Sequence, residues 1–315
     1  MLTDLQSCSD FTVMQPLLGL LREMNDDKRL YASNLAGDSL ATWIFRRACE
    51  EVVSGSPLQA EVWCAALVGG ARLGAISPAV LRDAGLSEDA SSAVLREAIT
   101  THEVLPAEVR HDLTAACKGM AETFAAAVPS KADWVQRLAE APRAGATCPG
   151  KPRIALEPAE MHSDHCVMVA AYGYLLADYF GADREDAWLI GLCHHFHNAY
   201  LPDAGFTGEI LLGEHLDKVI EHFRERVLAE LPEEYRGRVR RLFTEINGTS
   251  TPLAKTFHAA DTIDRVVQME HYERAAKFRV RQALVDLNLV HEGPAQGFQH
   301  ELLKALGLFG EDSVS

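Results

Sequence analysis

A chain of 315 residues, 48% hydrophobic and 24% charged, is long enough for two domains and has an ordinary globular balance, which excludes a disordered or membrane-embedded protein. Its 45 acidic against 30 basic residues give a net charge of −15, which repels nucleic-acid backbones; the densest basic stretch, Arg236-Gly-Arg-Val-Arg-Arg241, reads as the solvated face of a helix. The opening MLTDLQSCSDF has no basic segment leading into an apolar one, no run of about 18 apolar residues follows, and seven scattered cysteines form no CxxC pair. A cytoplasmic chain with reduced thiols, no membrane and no nucleic-acid partner is expected.

Helical periodicity dominates and no stretch alternates like a strand, so the fold class is all-α. In the first half, starts are predicted at Asp38-Ser39 before LATWIFRRACEEV, Ser56-Pro57 before LQAEVWCAALV, Pro106 before AEVRHDLTAACKGM and Ser130 before KADWVQRLAEA, giving about six helices. The proline- and glycine-containing segment from Glu140 to Pro158 breaks helix repeatedly. It divides the chain into an N-terminal helical domain over 1–145, a linker over 146–157 and a second helical domain over 158–315. Pro158 is predicted to start a long helix through MHSDHCVMVAAYGYLLADYF, ended by Gly181; the next runs through WLIGLCHHFHNAY to Pro202. The stretch LPDAGFTGE is read as a loop. Helices through HLDKVIEHFRERVLAEL, PEEYRGRVRRLFTEI, TPLAKTFHAADTIDRVVQMEHYERA and FQHELLKALGL complete the chain.

Histidines cluster on two of these helices. His162 and His165 share a face, as do His194 and His197, and His258 sits three residues before Asp261 on a later helix. Single buried histidines are often satisfied core residues, but several on apolar helices such as VMVAAYGYLLA and AWLIGLC are costly to bury without a metal ion or hydrogen-bond partners. Imidazole and carboxylate ligands suit Zn, Mn, Fe or Ni.

The arrangement Ser-Asp-His165, then His194-His195, then His-Ala-Ala-Asp261 resembles the HD superfamily of metal-dependent phosphohydrolases over roughly residues 158–285. The resemblance implies an HD-type helical bundle with His165, His194, His195 and Asp261 as ligands to about one divalent transition metal per chain, and a homodimer. Within that superfamily, Thr207-Gly208-Glu209 and Ala259-Ala260-Asp261 are similar to the compact bacterial 5′-deoxynucleotidase type, implying a small phosphate ester, a nucleotide, as substrate. Two positions depart from the pattern. His195 stands where the signature has Asp, and an imidazole ligates through one nitrogen rather than bridging two ions. Asn198 stands where the nucleotidases have an acid, so the general base is sought among Asp203, Glu209 and His197, with Arg265 or Lys255 as a charge-neutralising cation.

Other readings stay open: a degenerate HD scaffold that regulates or senses a ligand without catalysis, and an iron-dependent oxygenase of the HD type using His215 and His222. The first half carries an echo of the second, since AEVWCAALVGGARLGAI aligns with EDAWLIGLCHHFHNAYL at an offset of 125, setting Gly69-Gly70 against His194-His195. Either as a degenerate HD-like repeat or as an unrelated bundle, it is expected to bind no metal. Gly69-Gly-Ala-Arg-Leu-Gly74 lacks the Lys-Ser/Thr of a phosphate loop.

Overall fold

The computed structural model describes residues 11–125, 132–276, 279–286 and 288–309. Among them there are helices and three isolated β-bridges but no strand. No helix among them is long and apolar enough to cross a membrane. Ser130 and Cys8 lie outside the described residues, and the other cysteines are free.

The first half carries α1 (Leu18–Asn25), α2 (Leu40–Ser54), α3 (Ala60–Leu73), α4 (Pro78–Asp83), α5 (Glu88–Thr100), α6 (Ala107–Ala116), α7 (Met120–Ala125) and α8 (Asp133–Glu140). Ser39, Ser77 and Ser87 cap α2, α4 and α5 by accepting the backbone N–H three residues on. Residues 141–161 contain no helix. The second half carries α9 (His162–Phe180), α10 (Arg184–Cys193), α11 (Gly205–Leu212), α12 (Leu216–Leu228), α13 (Glu233–Glu245), α14 (Pro252–Ala276) and α15 (Gln296–Ala305).

Two expectations shift. The helix expected from Pro158 starts at His162, where Asp164 Oδ2 accepts the Met161 N–H at 3.3 Å and caps the first turn. The predicted loop LPDAGFTGE instead closes into α11, whose side chains are all exposed or half-buried; with no buried stripe it leaves no periodic signal.

Every residue of α9 from His162 to Ala177 is buried, because α2, α10 and α14 surround it. A helix apolar on all sides is stable only in such a position. One hydrophobic core runs through both halves, joining Leu21, Phe45 and Leu67 to Tyr172, Trp188 and Val266. The α9–α10 contact depends on Gly191: a Cβ there would stand 2.4 Å from both Cα and N of Ala170. Helix α10 ends at Cys193 and passes through His194 and His195 into the 3-10 turn Phe196–Ala199, so the close approach sets both imidazoles against α9. The arginine-rich stretch lies on α13, with Arg238 and Arg241 paired to Asp186 and Arg240 to Glu225.

Because the obstacle at Gly191 is backbone, Gly191→Ala is expected to destabilise the fold by about 3 kcal/mol, the upper end of the overpacking range. A fall in urea midpoint, against a level or slightly raised midpoint for the control Gly237→Ala inside α13, where a Cβ meets nothing within 4 Å, would check this.

Candidate metal centre

Three imidazoles meet where α9 passes the end of α10. The Nε2 atoms of His165 and His194 are 3.1 Å apart, and a nitrogen of His195 lies within 4.8 Å of both. Asp261 Oδ1, from α14, stands 3.2 Å from His165 Nε2.

Each imidazole spends Nδ1 on a protein acceptor. His165 Nδ1–H donates to Asp264 Oδ2 at 2.7 Å, His194 Nδ1–H to the Gly191 carbonyl at 2.7 Å, and His195 Nδ1–H to Asn198 Oδ1 at 2.7 Å. The neutral tautomers so fixed direct three unprotonated Nε2 lone pairs inward. Two such lone pairs 3.1 Å apart repel unless a cation lies between them, and ligands on one ion at the usual M–N length of ~2.0–2.1 Å stand roughly 2.9–3.4 Å apart. The residues therefore fit a divalent transition metal.

The electrostatics agree. Burial, and then a neighbouring imidazole (His165 for His194, His194 for His195), pushes both rings well below the usual imidazole range, so both are neutral and able to ligate at physiological pH. Burial raises the Asp261 carboxyl, while Arg265, 3.6 Å from Oδ2, acts to lower it.

A cavity of about 570 Å³ opens on this cluster, lined by His194, His195, Asp261, Asp203, Glu209, Arg143, Arg153, Arg265, Phe206 and His291, among others. Phe206 and His291 stack with centroids 3.8 Å apart and planes 8° from parallel. Burial, then Asp203, raises the Glu209 carboxyl. Asp203 is differently placed: it accepts the Ala144 and Gly205 N–H groups, and these bonds with Arg143 outweigh burial to lower it. His197 is not among the residues lining the cavity; its Nδ1 is buried without a partner, and burial, then Arg224, depresses it to about 3.

Other expected partners stand elsewhere. His258 shares a face with Asp261 by spacing, but its ring donates to the Ile246 carbonyl at 2.9 Å, in the segment between α13 and α14, rather than joining the cluster. His215 and His222 are exposed and do not line the cavity. His162 points Nε2 at Asp203 from 3.7 Å.

Four residues around the cluster have no sequence signal. Asp264, wholly buried, orients His165. Lys28, from the first half, donates to Asp264 and to Glu160, and Arg143 pairs with the other Glu160 oxygen at 3.1 Å. Burial would raise Glu160, but Lys28 and Arg143 outweigh it and hold it down to about 2. In Arg143 burial opposes the charge, and Glu160 with the nearby aspartates prevails to raise it. Only Asp264 could have been sought by position, as the residue one turn beyond Asp261.

Protein purified without chelator is expected to carry about one transition-metal ion per chain, and His165→Ala to lose it. Metal at a hundredfold excess over its Kd stabilises the wild type by about 2.7 kcal/mol, so the melting temperature should rise with added metal in the wild type and stay flat in His165→Ala. Elemental mass spectrometry and melting curves decide.

His197 gives a pH prediction. Its folded pKa lies below its unfolded value near 6.5, so the unfolded chain binds the extra proton and stability falls as pH drops from about 6.5 toward 3. Removing the group in His197→Phe should flatten the dependence of stability on pH in that window by up to about 1.4 kcal/mol per pH unit, while metal content stays unchanged. Urea midpoints at pH 7 and 5 measure the first, elemental analysis the second.

No curated protein and no solved structure shows a significant match to the chain. The sequence model of the HD domain family matches residues 135–296, from Val135 in α8 to Gln296 at the start of α15, and so covers every member of the histidine–aspartate cluster. The chain belongs to the HD domain family.

Proposed function

We propose that this protein is a metal-dependent phosphohydrolase acting on a small phosphate ester, a nucleotide of the kind taken by the compact 5′-deoxynucleotidase type. The observation that carries the reading is that His194, His195 and Asp261 open onto the same cavity as Arg143 and Arg265. Imidazole and carboxylate ligands beside guanidinium groups suit a dianionic phosphoryl group, which guanidinium binds through paired N–H donors.

His165, His194, His195 and Asp261 would hold a divalent ion, which would supply Lewis acidity and make a water more acidic. The chain's own residues do the rest. Arg265, 3.6 Å from Asp261 Oδ2, and Arg143 orient and neutralise the phosphate. The flat Phe206–His291 pair offers an apolar wall for a base or another planar group. Glu209 is the general base favoured here, because it lines the cavity and its raised carboxyl lies nearer neutrality, whereas Asp203 is tied to two backbone N–H groups. Asn198, in place of an acid, fixes the tautomer of His195.

The first half is, on this reading, a worn copy of the second that keeps the scaffold and has lost the site. Shifted by 125, α2 falls on 165–179 within α9, and α3 on 185–198 across α10 and the following 3-10 turn. Likewise α4, α5 and α6 fall on 203–208, 213–225 and 232–241, each overlapping α11, α12 or α13. Leu40, at the position of His165, fills the space beside Gly70, at the position of His195: a Cβ on Gly70 would stand 2.6 Å from Leu40 Cδ2. Leu95 does the same at Gly69, with 2.1 Å.

Activity should appear in a screen of nucleoside monophosphates and p-nitrophenyl phosphate with Mn, Co, Ni or Zn. Glu209→Gln is expected to lower kcat by at least about 100-fold with little change in KM, the loss typical of a missing general base. A metal-loaded wild type that turns over no phosphate ester would overturn the reading.

A further inference from the structure

The cluster contains a second set of donors. Glu160, His165 and Asp264 each offer an atom within 4.8 Å of the others, a grouping of two carboxylates and an imidazole that also suits a divalent cation. That position is taken by Lys28, whose Nζ lies 2.6 Å from Glu160 Oε1 and 2.8 and 2.9 Å from the two Asp264 oxygens. The ammonium is buried, as are both its partners' oxygens, and its three donors have found three carboxylate oxygens. A lysine is rarely enclosed this way unless it is paired.

We propose that Lys28 is a built-in cation that occupies the second-ion position of the centre and, through Asp264, positions His165 for a single metal ion. The inference rests on the metal-binding reading above. It follows from charge and geometry together. With Lys28 and Arg143 neutralising Glu160 and Asp264, Asp261, 3.2 Å from His165 Nε2, is the carboxylate that stands beside the first ion's imidazoles. Asp264 is anchored from one side by Lys28 and accepts the His165 N–H on the other, which fixes the ring and its tautomer. Since Lys28 sits between α1 and α2, the first half completes the site without contributing a ligand to the ion.

The test is a titration of metal-free full-length chain with Mn(II), followed by elemental analysis and electron paramagnetic resonance, on wild type, Lys28→Met and Lys28→Met/Glu160→Gln. The wild type should take one ion and give an uncoupled six-line spectrum. Lys28→Met exposes two carboxylates to the vacated position and should take a second ion, with an exchange-coupled spectrum. The double variant keeps the interior charge-balanced but lacks one of those carboxylates; it should return to one ion, bound 10–100-fold more weakly because Asp264 has lost its anchor. Two coupled ions in the wild type would overturn the proposal, as would a folded Lys28→Met that holds one ion with wild-type affinity. If Lys28→Met does not fold, the double variant decides, and unchanged affinity there overturns the proposal. A wild type that binds no Mn(II), Zn(II) or Co(II) would instead sink the metal-centre reading itself.

Discussion

The hydrogen bond from His165 Nδ1 to Asp264 Oδ2, 2.7 Å long and closed to solvent at both ends, is the contact on which the arrangement of the second half turns. A fully enclosed imidazole must commit to one tautomer, and this bond decides which nitrogen faces the cluster. Its acceptor in turn is a buried carboxylate, which is tolerable only because Lys28 meets both of its oxygens. The ammonium is then divided with Glu160, and Glu160 with Arg143 at the cavity wall. Three parts of the chain far apart in sequence are thus locked by one run of paired charges, ending at a guanidinium on the cavity wall.

That run also explains why the first half packs so closely on the second. Ser39 and Thr42 of α2 donate to Asp164 at 2.6 and 2.8 Å, so the residue that caps α9 beside His165 is held from across the interface. Burial raises the Asp164 carboxyl to about 6 even with those hydroxyls, so a carboxylate there depends on them. The position of His165 is set twice by the first half, once through Lys28 to its Nδ1 partner and once through α2 to its helix cap.

How much of this could be read beforehand follows from what each residue type signals. His165, His194 and His195 stand out because imidazoles are scarce on apolar helices, and Asp261 because a resemblance places it. Asp264 escapes notice: an aspartate three residues from another on a helix rich in Asp, Gln and Glu looks like solvated surface, and only the packing of α9 against α14 encloses it. Lys28 lies in the run Asp26-Asp-Lys-Arg29, which reads as an exposed turn, and the 236 residues between it and Asp264 put their contact beyond any periodicity argument. Glu160 and Arg143 belong to helix-free chain, where spacing carries no facing rule. The start of α9 is hidden for a similar reason: a proline signals that a helix can begin, while the carboxylate of Asp164 fixes where it does.

At positions 125 residues apart the two halves enclose different side chains, imidazoles in the second and leucines in the first. Imidazoles enclosed without a metal or a partner cost free energy, whereas leucines of similar reach gain it, and Leu40 and Leu95 now fill the space over Gly69 and Gly70. Asp27 remains beside them, fully buried, 3.0 Å from where a Gly70 Cβ would stand, and neither of its oxygens has a hydrogen-bond partner. Burial, and then Asp26, drives its carboxyl well above the ordinary range, which favours the neutral acid. Its immediate neighbour in sequence, Lys28, turns the other way and supplies charge to the half that holds the imidazoles. One short turn therefore carries a carboxyl buried without a hydrogen-bond partner and an ammonium enclosed by two carboxylates.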